Sequence, residues 1–167
     1  MWHKGLLKKI EAVGIRGNLA LWFQNYLQNR KKAVVVIKGK QSEYKTVPSG
    51  VPQGSVLGPL LFLIYIKDIT KNIESVIKLF ADDTSVSLAL KDPDRRAAIL
   101  NWDLQKSNSW AKRWKVSFNE EKTELLTFKK DNLTIYPLSF GNIVLEDKEC
   151  HKHLGLTFES NCKWENI

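Results

Sequence analysis

Asp82 and Asp83 are adjacent carboxylates between two short apolar runs, Val76-Ile77-Lys78-Leu79-Phe80-Ala81 and Thr84-Ser85-Val86-Ser87-Leu88. Strand-forming residues on both sides of an acidic break predict a β-hairpin with the carboxylates at or beside its turn. A turn interrupts the up-down alternation of a strand, so neighbouring side chains there can converge. Two converging carboxylates repel unless a proton or a cation neutralises them. A divalent cation with oxygen ligands suits such a pair, and Mg²⁺ commonly takes one or two carboxylates together with substrate phosphates. Asp is also an ordinary turn residue, so the surroundings decide between a metal site and a solvated turn.

Three other groups have chemical potential. Pro48-Ser49-Gly50-Val51-Pro52-Gln53-Gly54-Ser55 carries two prolines and two glycines, which excludes regular structure there. Its glycines permit close approach of backbone to a ligand, and Gln53 offers both donors and an acceptor. The same composition also makes a rigid turn ahead of a helix. Lys122 is a cation beside Glu120, Glu121 and Glu124, with which an exposed lysine ordinarily pairs on the surface. Cys150, His151, His153 and Cys162 fall in a short span, but their spacing does not follow paired zinc-ligand patterns. His151 and His153 are further expected on opposite faces of a strand.

The elements that must position these groups follow from periodicity. Leu6, Leu7, Ile10 and Val13 predict a first helix stopped near Gly14. Asn18 is placed to cap a second, bearing Leu19, Trp22, Phe23, Tyr26 and Leu27. Ala33-Val34-Val35-Val36-Ile37 predicts a strand, turned at Gly39, with Tyr44-Lys45-Thr46-Val47 returning antiparallel. Residues 57–69 predict a helix with Pro59 in its first turn. It is apolar on nearly all sides and is expected to be buried. Asp92-Pro93 signals a helix start, and Leu100, Leu104, Ser107, Ala111 and Trp114 trace one face of that helix. Val116-Ser117-Phe118, 123–128, 133–140, Ile143-Val144-Leu145 and 153–158 predict short strands. The mixed order predicts an α+β fold with a largely antiparallel sheet.

Size and composition narrow the class. The 167 residues suffice for one domain with a core, and 43% are hydrophobic, which argues against disorder. No apolar run reaches the ~20 residues that span a bilayer, and the first residues lack a signal-peptide hydrophobic region. Two cysteines cannot build a disulfide framework and suit a reducing compartment. The net charge of +8 and a pI near 9.5 favour polyanionic partners. Basic clusters stand at Arg30-Lys31-Lys32 and Lys112-Arg113-Trp114-Lys115. The indole of the second could stack on a base or belong to the core.

Together these segments resemble the palm of a reverse transcriptase of the non-LTR retrotransposon type, LINE or jockey-like. Gly50-Val51-Pro52-Gln53-Gly54-Ser55-Val56-Leu57-Gly58-Pro59-Leu60-Leu61-Phe62 is similar to the family's loop-and-helix signature. Phe80-Ala81-Asp82-Asp83 is similar to its catalytic hairpin. Asn119 with Lys122-Thr123, Leu125 and Phe128 resembles the next block, and His153-Leu154-Gly155 the hairpin that precedes the thumb. Trp2-His3-Lys4-Gly5-Leu6-Leu7 resembles the segment just past the family's first acidic block. The resemblance thus implies a palm lacking its first catalytic strand, partial over 1–130, with 131–167 as the palm's end and a hairpin toward an absent thumb.

The activity implied is RNA-directed DNA synthesis by two-metal nucleotidyl transfer, using Mg²⁺ (or Mn²⁺) on an RNA template, a DNA primer and a dNTP. Asp82 and Asp83 are the implied metal ligands and Lys122 a catalytic cation. Gly50, Pro52, Gln53 and Gly54 are implied to contact nucleotide and template, and Phe80 and Ala81 to set the strand against the primer terminus. The expected location is intracellular, in an element ribonucleoprotein of cytoplasm and nucleus. The isolated chain is expected to be inactive, since an essential upstream Asp is missing. The competing reading is a non-catalytic nucleic-acid-binding module built from an old palm.

Overall fold

The computed structural model describes residues 1–28, 31–32, 36–37, 40–41, 43–128 and 136–162, of which 31–32, 36–37 and 40–41 are described by backbone only. The chain divides into two compact units. The first comprises Met1–Ile69 with Lys112–Val116, and the second Thr70–Ala111 with Ser117–Ile167.

In the first unit α1 (His3–Ala12) packs against α2 (Gly17–Leu27) and α3 (Leu57–Ile66). Leu6 and Ile10 of α1 are fully buried, as are Leu27, Leu61 and Tyr65. Gly5 lets the aromatic rings close in: a Cβ there would lie 2.7 Å from Trp2 Cε3 and 3.3 Å from Trp114 Cε3. The Tyr65 and Trp114 rings meet edge to face at 6.2 Å, and the Tyr65 hydroxyl donates to the Trp114 carbonyl. Trp114 therefore belongs to this aromatic core. α1 ends before Gly14, whose φ of 93° suits only glycine without strain. α2 begins at Gly17 with Arg16 as the flanking residue, so Asn18 lies inside the first turn instead of capping it.

β1 (Lys31–Lys32) pairs antiparallel with β4 (Lys45–Thr46), and β2 (Val36–Ile37) with β3 (Lys40–Gln41). The antiparallel return expected of residues 44–47 is present, though its partner is Lys31–Lys32. Arg30, residues 33–35 and the turn at Gly39 lie outside the described residues. α3 differs from expectation in burial. Gly58, Leu61, Tyr65 and Ile66 are buried, but Val56, Leu60 and Leu63 are 93%, 51% and 56% exposed. Uniform apolarity means that every face of a helix can be buried, whereas only contact decides which one is. After α3 a 3₁₀ turn, Lys67–Thr70, takes up the rest of the segment expected to be helical.

The second unit holds β5 (Val76–Phe80) and β6 (Asp83–Ser87), an antiparallel hairpin, and most of α4 (Pro93–Trp114). Asp92 caps α4, its carboxylate accepting from the amides of Asp94 at 3.0 Å and Arg95 at 3.2 Å. Ser107 and Ala111 are buried on the stripe read from the sequence. β7 (Leu125–Leu126) runs parallel to β10 (Asp147–Lys148), while β8 (Leu138–Phe140) and β9 (Ile143–Leu145) form a hairpin. Leu138, Phe140 and Leu145 are the buried centre of this unit, packed by Ala97, Leu100, Leu104 and Phe118.

Residues 116–119 form no ladder, so the expected strand there is an irregular connection. Of the strands expected at 123–128 and 133–140, only Leu125–Leu126 and Leu138–Phe140 pair, and 133–135 lie outside the described residues. The segment expected as one strand at 153–158 is a hairpin, β11 (Cys150–His153) and β12 (Leu156–Glu159). Leu154 and Gly155 turn it, with φ of 50° and 88°. The architecture is mixed helix and strand, its described strands forming two-stranded antiparallel sheets with one parallel pair.

Candidate active site

The hairpin register pairs Phe80 with Asp83, which leaves Ala81 and Asp82 as a two-residue turn. Ala81 has φ of 49°, in the left-handed region that an L residue with a Cβ occupies at a cost. Asp82 thus stands at the turn itself and Asp83 opens β6. Directly opposed residues share a face, so Asp83 lies beside Phe80, which is 60% exposed. Lys78, paired with Ser85, lies on that same face two residues back. Ala81, Asp82 and Asp83 are all exposed. Neither carboxylate has a hydrogen-bond or ion-pair partner among the described residues.

Lys122 ends a short 3₁₀ turn, Glu120–Lys122, entered by Asn119, whose side chain accepts from the Lys122 amide at 3.3 Å. Two of the three neighbouring carboxylates are engaged elsewhere. Glu120 accepts from the Asn142 amide at 3.2 Å, and Glu124 contacts His151 Nδ1 at 2.6 Å. No ion pair among the described residues holds the exposed Lys122 ammonium.

Loop 50–55 belongs to the first unit. The Gly50 amide donates to the Met1 carbonyl at 2.8 Å, and its own carbonyl accepts from His3 Nε2 at 2.7 Å. Gly50 and Gly54 have φ of 91° and 79°, a backbone path that favours glycine. Ser55 Oγ donates to the Pro52 carbonyl at 2.7 Å and accepts from the Gly58 amide at 3.1 Å, capping α3. Pro52 is thereby tied down, and Gln53 and Gly54 project as an exposed tip.

Two buried charges lie outside the motifs read from the sequence. Asp103 of α4 is 1% exposed and accepts from the amides of Glu74 and Ser75, at 3.1 and 2.8 Å, and from the Ser75 hydroxyl. It anchors the chain immediately before β5, the strand that leads to Ala81 and Asp82. Lys9 of α1 is 4% exposed. Its ammonium donates to the Tyr65 carbonyl and to Asp68 at 2.5 Å, and lies 3.9 Å from the Trp114 ring centroid. Burial pushes the Lys9 pKa down, against the opposing pull of Asp68. Both charges fall on the apolar stripe of their helix, Asp103 between Leu100 and Ser107 and Lys9 beside Leu6 and Ile10. A charge at such a position is a legible signal of a buried partner.

The His151 and His153 rings stack at 5.9 Å. They share a face, as the two-residue period of a strand requires, so the expectation of opposite faces was a register error. Among the described residues no group of three or more His, Cys, Asp or Glu gathers as a metal cage. The exposed, unpartnered pair at the hairpin fits an ion that takes one or two carboxylates and draws its other ligands from substrate and water.

These features belong to a recognised class of protein. The family model described as "Reverse transcriptase (RNA-dependent DNA polymerase)" matches residues 1–158, and the chain belongs to that family. Among its relatives, the "RNA-directed DNA polymerase from mobile element jockey" of Drosophila melanogaster is 30% identical over 95% of this chain. The "Probable RNA-directed DNA polymerase from transposon X-element" and that "from transposon BS", both of the same fly, are 29% and 26% identical over 95% of it. The chain spans 18% of the length of these curated relatives. No solved structure matches it significantly.

Proposed function

We propose that this chain is palm-region sequence of an RNA-directed DNA polymerase from a jockey-like mobile element, extending a DNA primer on an RNA template with dNTPs. The observation that carries the reading is the tip of the β5–β6 hairpin, where two adjacent carboxylates stand exposed and unpaired in a chain of this family. Residues 1–130 would form palm sequence, and 131–167 its end toward the thumb.

Asp82 and Asp83 would hold Mg²⁺ or Mn²⁺. Bound there, the metal supplies charge stabilisation for attacking and leaving oxygens. Phe80 and Ala81 seat the primer terminus, the small Ala81 leaving room for a nucleic-acid backbone. Gly50, Pro52, Gln53 and Gly54 present backbone and amide groups to nucleotide and template. Lys122 holds a proton on Nζ for the departing pyrophosphate. The work of such a site is mostly positioning and charge stabilisation. Its setting would be an intracellular ribonucleoprotein.

The test is primer extension on an RNA template with Mg²⁺, using the 167-residue chain and a longer polymerase that supplies the upstream acidic block. The short chain should show little synthesis, and the long one should synthesise DNA and lose that activity on Asp82→Ala. Equal synthesis by Asp82→Ala would refute the assignment. RNA binding without extension in either length would favour the non-catalytic module.

A further inference from the structure

Away from the hairpin tip, the outer face of α4 carries an open groove of about 400 Å³, lined by Asn101, Trp102, Gln105 and Asn108 and walled by Ser139 and Gly141 of the β8–β9 hairpin. Trp102 is 56% exposed although an indole is a large apolar surface. The Lys106 ammonium lies 5.3 Å from its ring centroid. Asn101 is a structural tie, donating to the Pro137 carbonyl at 3.2 Å and accepting from the Ser139 amide at 2.9 Å, so that it pins the hairpin to the helix. The groove therefore has fixed walls. Gln105 and Asn108 have no side-chain partner among the described residues, and each offers both an acceptor and donors.

The lining contains no charged side chain. Glu120, which packs beside Gly141 of the hairpin wall, already accepts from the Asn142 amide. Basic charge flanks the groove: Lys106 one turn beyond Trp102, its half-buried ammonium donating to the Asn72 carbonyl and lying 3.9 Å from the Asp103 carboxylate, which leaves donors to spare, and exposed Arg95 two turns before it along the same face. An aromatic face, adaptable amides and cations at the margin match a nucleobase with its phosphate. The net charge of +8 draws such a strand in. An acidic peptide would find the cations but would leave the indole and the amides unused.

We propose that this face of α4 is a contact for single-stranded nucleic acid, in which a base stacks on Trp102, its edge bonds Gln105 and Asn108, and its phosphate lies toward Lys106. The contact does not depend on Asp82, Asp83 or polymerase activity.

The test uses the 167-residue chain and a fluorescently labelled single-stranded RNA 12-mer followed by anisotropy. Trp102→Ala should weaken binding about 10-fold with the salt dependence retained, because stacking releases no counterions. Trp102→Phe should restore most of the affinity. The double variant Gln105→Ala with Asn108→Ala should lose about 5-fold, and it carries the test should Trp102→Ala not fold by circular dichroism. A 4-thiouridine-substituted RNA should crosslink to the peptide that contains Trp102. Binding is read without dNTP or divalent metal, so a failure to polymerise leaves this result standing. Undiminished RNA binding by Trp102→Ala, or competition by poly-glutamate as effective as by unlabelled RNA, would overturn the proposal.

Discussion

At the scale of single residues, the hairpin turn stores strain where the proposed chemistry needs position. Ala81 at φ 49° occupies a region that costs an L residue roughly 1–2 kcal/mol. Ala81→Gly should relieve it and raise the stability measured by urea denaturation by up to about 1 kcal/mol, and Ala81→Val should lower it, since β-branching is worst there. A midpoint unmoved by both variants would mean that the turn is not strained.

Lys9 makes a second residue-scale case, through pH. Burial lowers its pKa from 10.5, so between the folded value and 10.5 the unfolded chain holds more protons and stability rises with pH. Tyr65 acts in reverse. Burial raises its pKa above 10.0, so above that pH the unfolded chain loses the phenolic proton first and stability falls. Urea melts from about pH 7 to about pH 11 should show a rise that Lys9→Met removes and a later fall that Tyr65→Phe softens.

At the scale of elements, two joints aim the functional loops. Asp103 takes two amides and a hydroxyl at the entry to β5. Hydrogen bonds to a buried charge contribute about 1.5–3 kcal/mol each, and stranded donors add a penalty. Asp103→Ala should therefore destabilise the chain by roughly 3 kcal/mol or more. It should also speed amide exchange in β5 and β6 beyond that in β11 and β12. Equal acceleration in both hairpins would show that Asp103 supports the unit at large. At α3 the joint is Ser55, tied to Pro52 and Gly58. Ser55→Ala should cost about 1 kcal/mol, the usual worth of a cap, measured by denaturation.

At the scale of the whole chain, the unused surface is as informative as the core. Val56, Leu60 and Leu63 leave an apolar strip on α3, and Leu19, Leu21 and Trp22 are further apolar side chains exposed on α2, each about half exposed or more. Apolar surface of this kind marks contact with something else or a liability to associate. The isolated 167-residue chain should self-associate in sedimentation velocity, and Leu60→Lys with Leu63→Glu should shift it toward monomer. A monomer of the unaltered chain at all concentrations would contradict this. None of the described helices is long and apolar enough to cross a membrane.

Much was legible without coordinates because it rests on local rules. Acidic residues between β-formers made a hairpin, Asp92-Pro93 started a helix, and two glycines and two prolines excluded regular structure at 48–55. The family followed from motif order, and residues 1–158 match it. Tertiary structure alone decided which face of the uniformly apolar α3 is buried, and it drew Trp114 into a core with Lys9. It also gave Asp103 its donors and split the chain into two units. Propensity and period act over a few neighbouring residues, whereas burial and the pairing of a charge depend on partners 28 to 59 positions away. A one-dimensional pattern can show that such a partner is needed but not which residue it is.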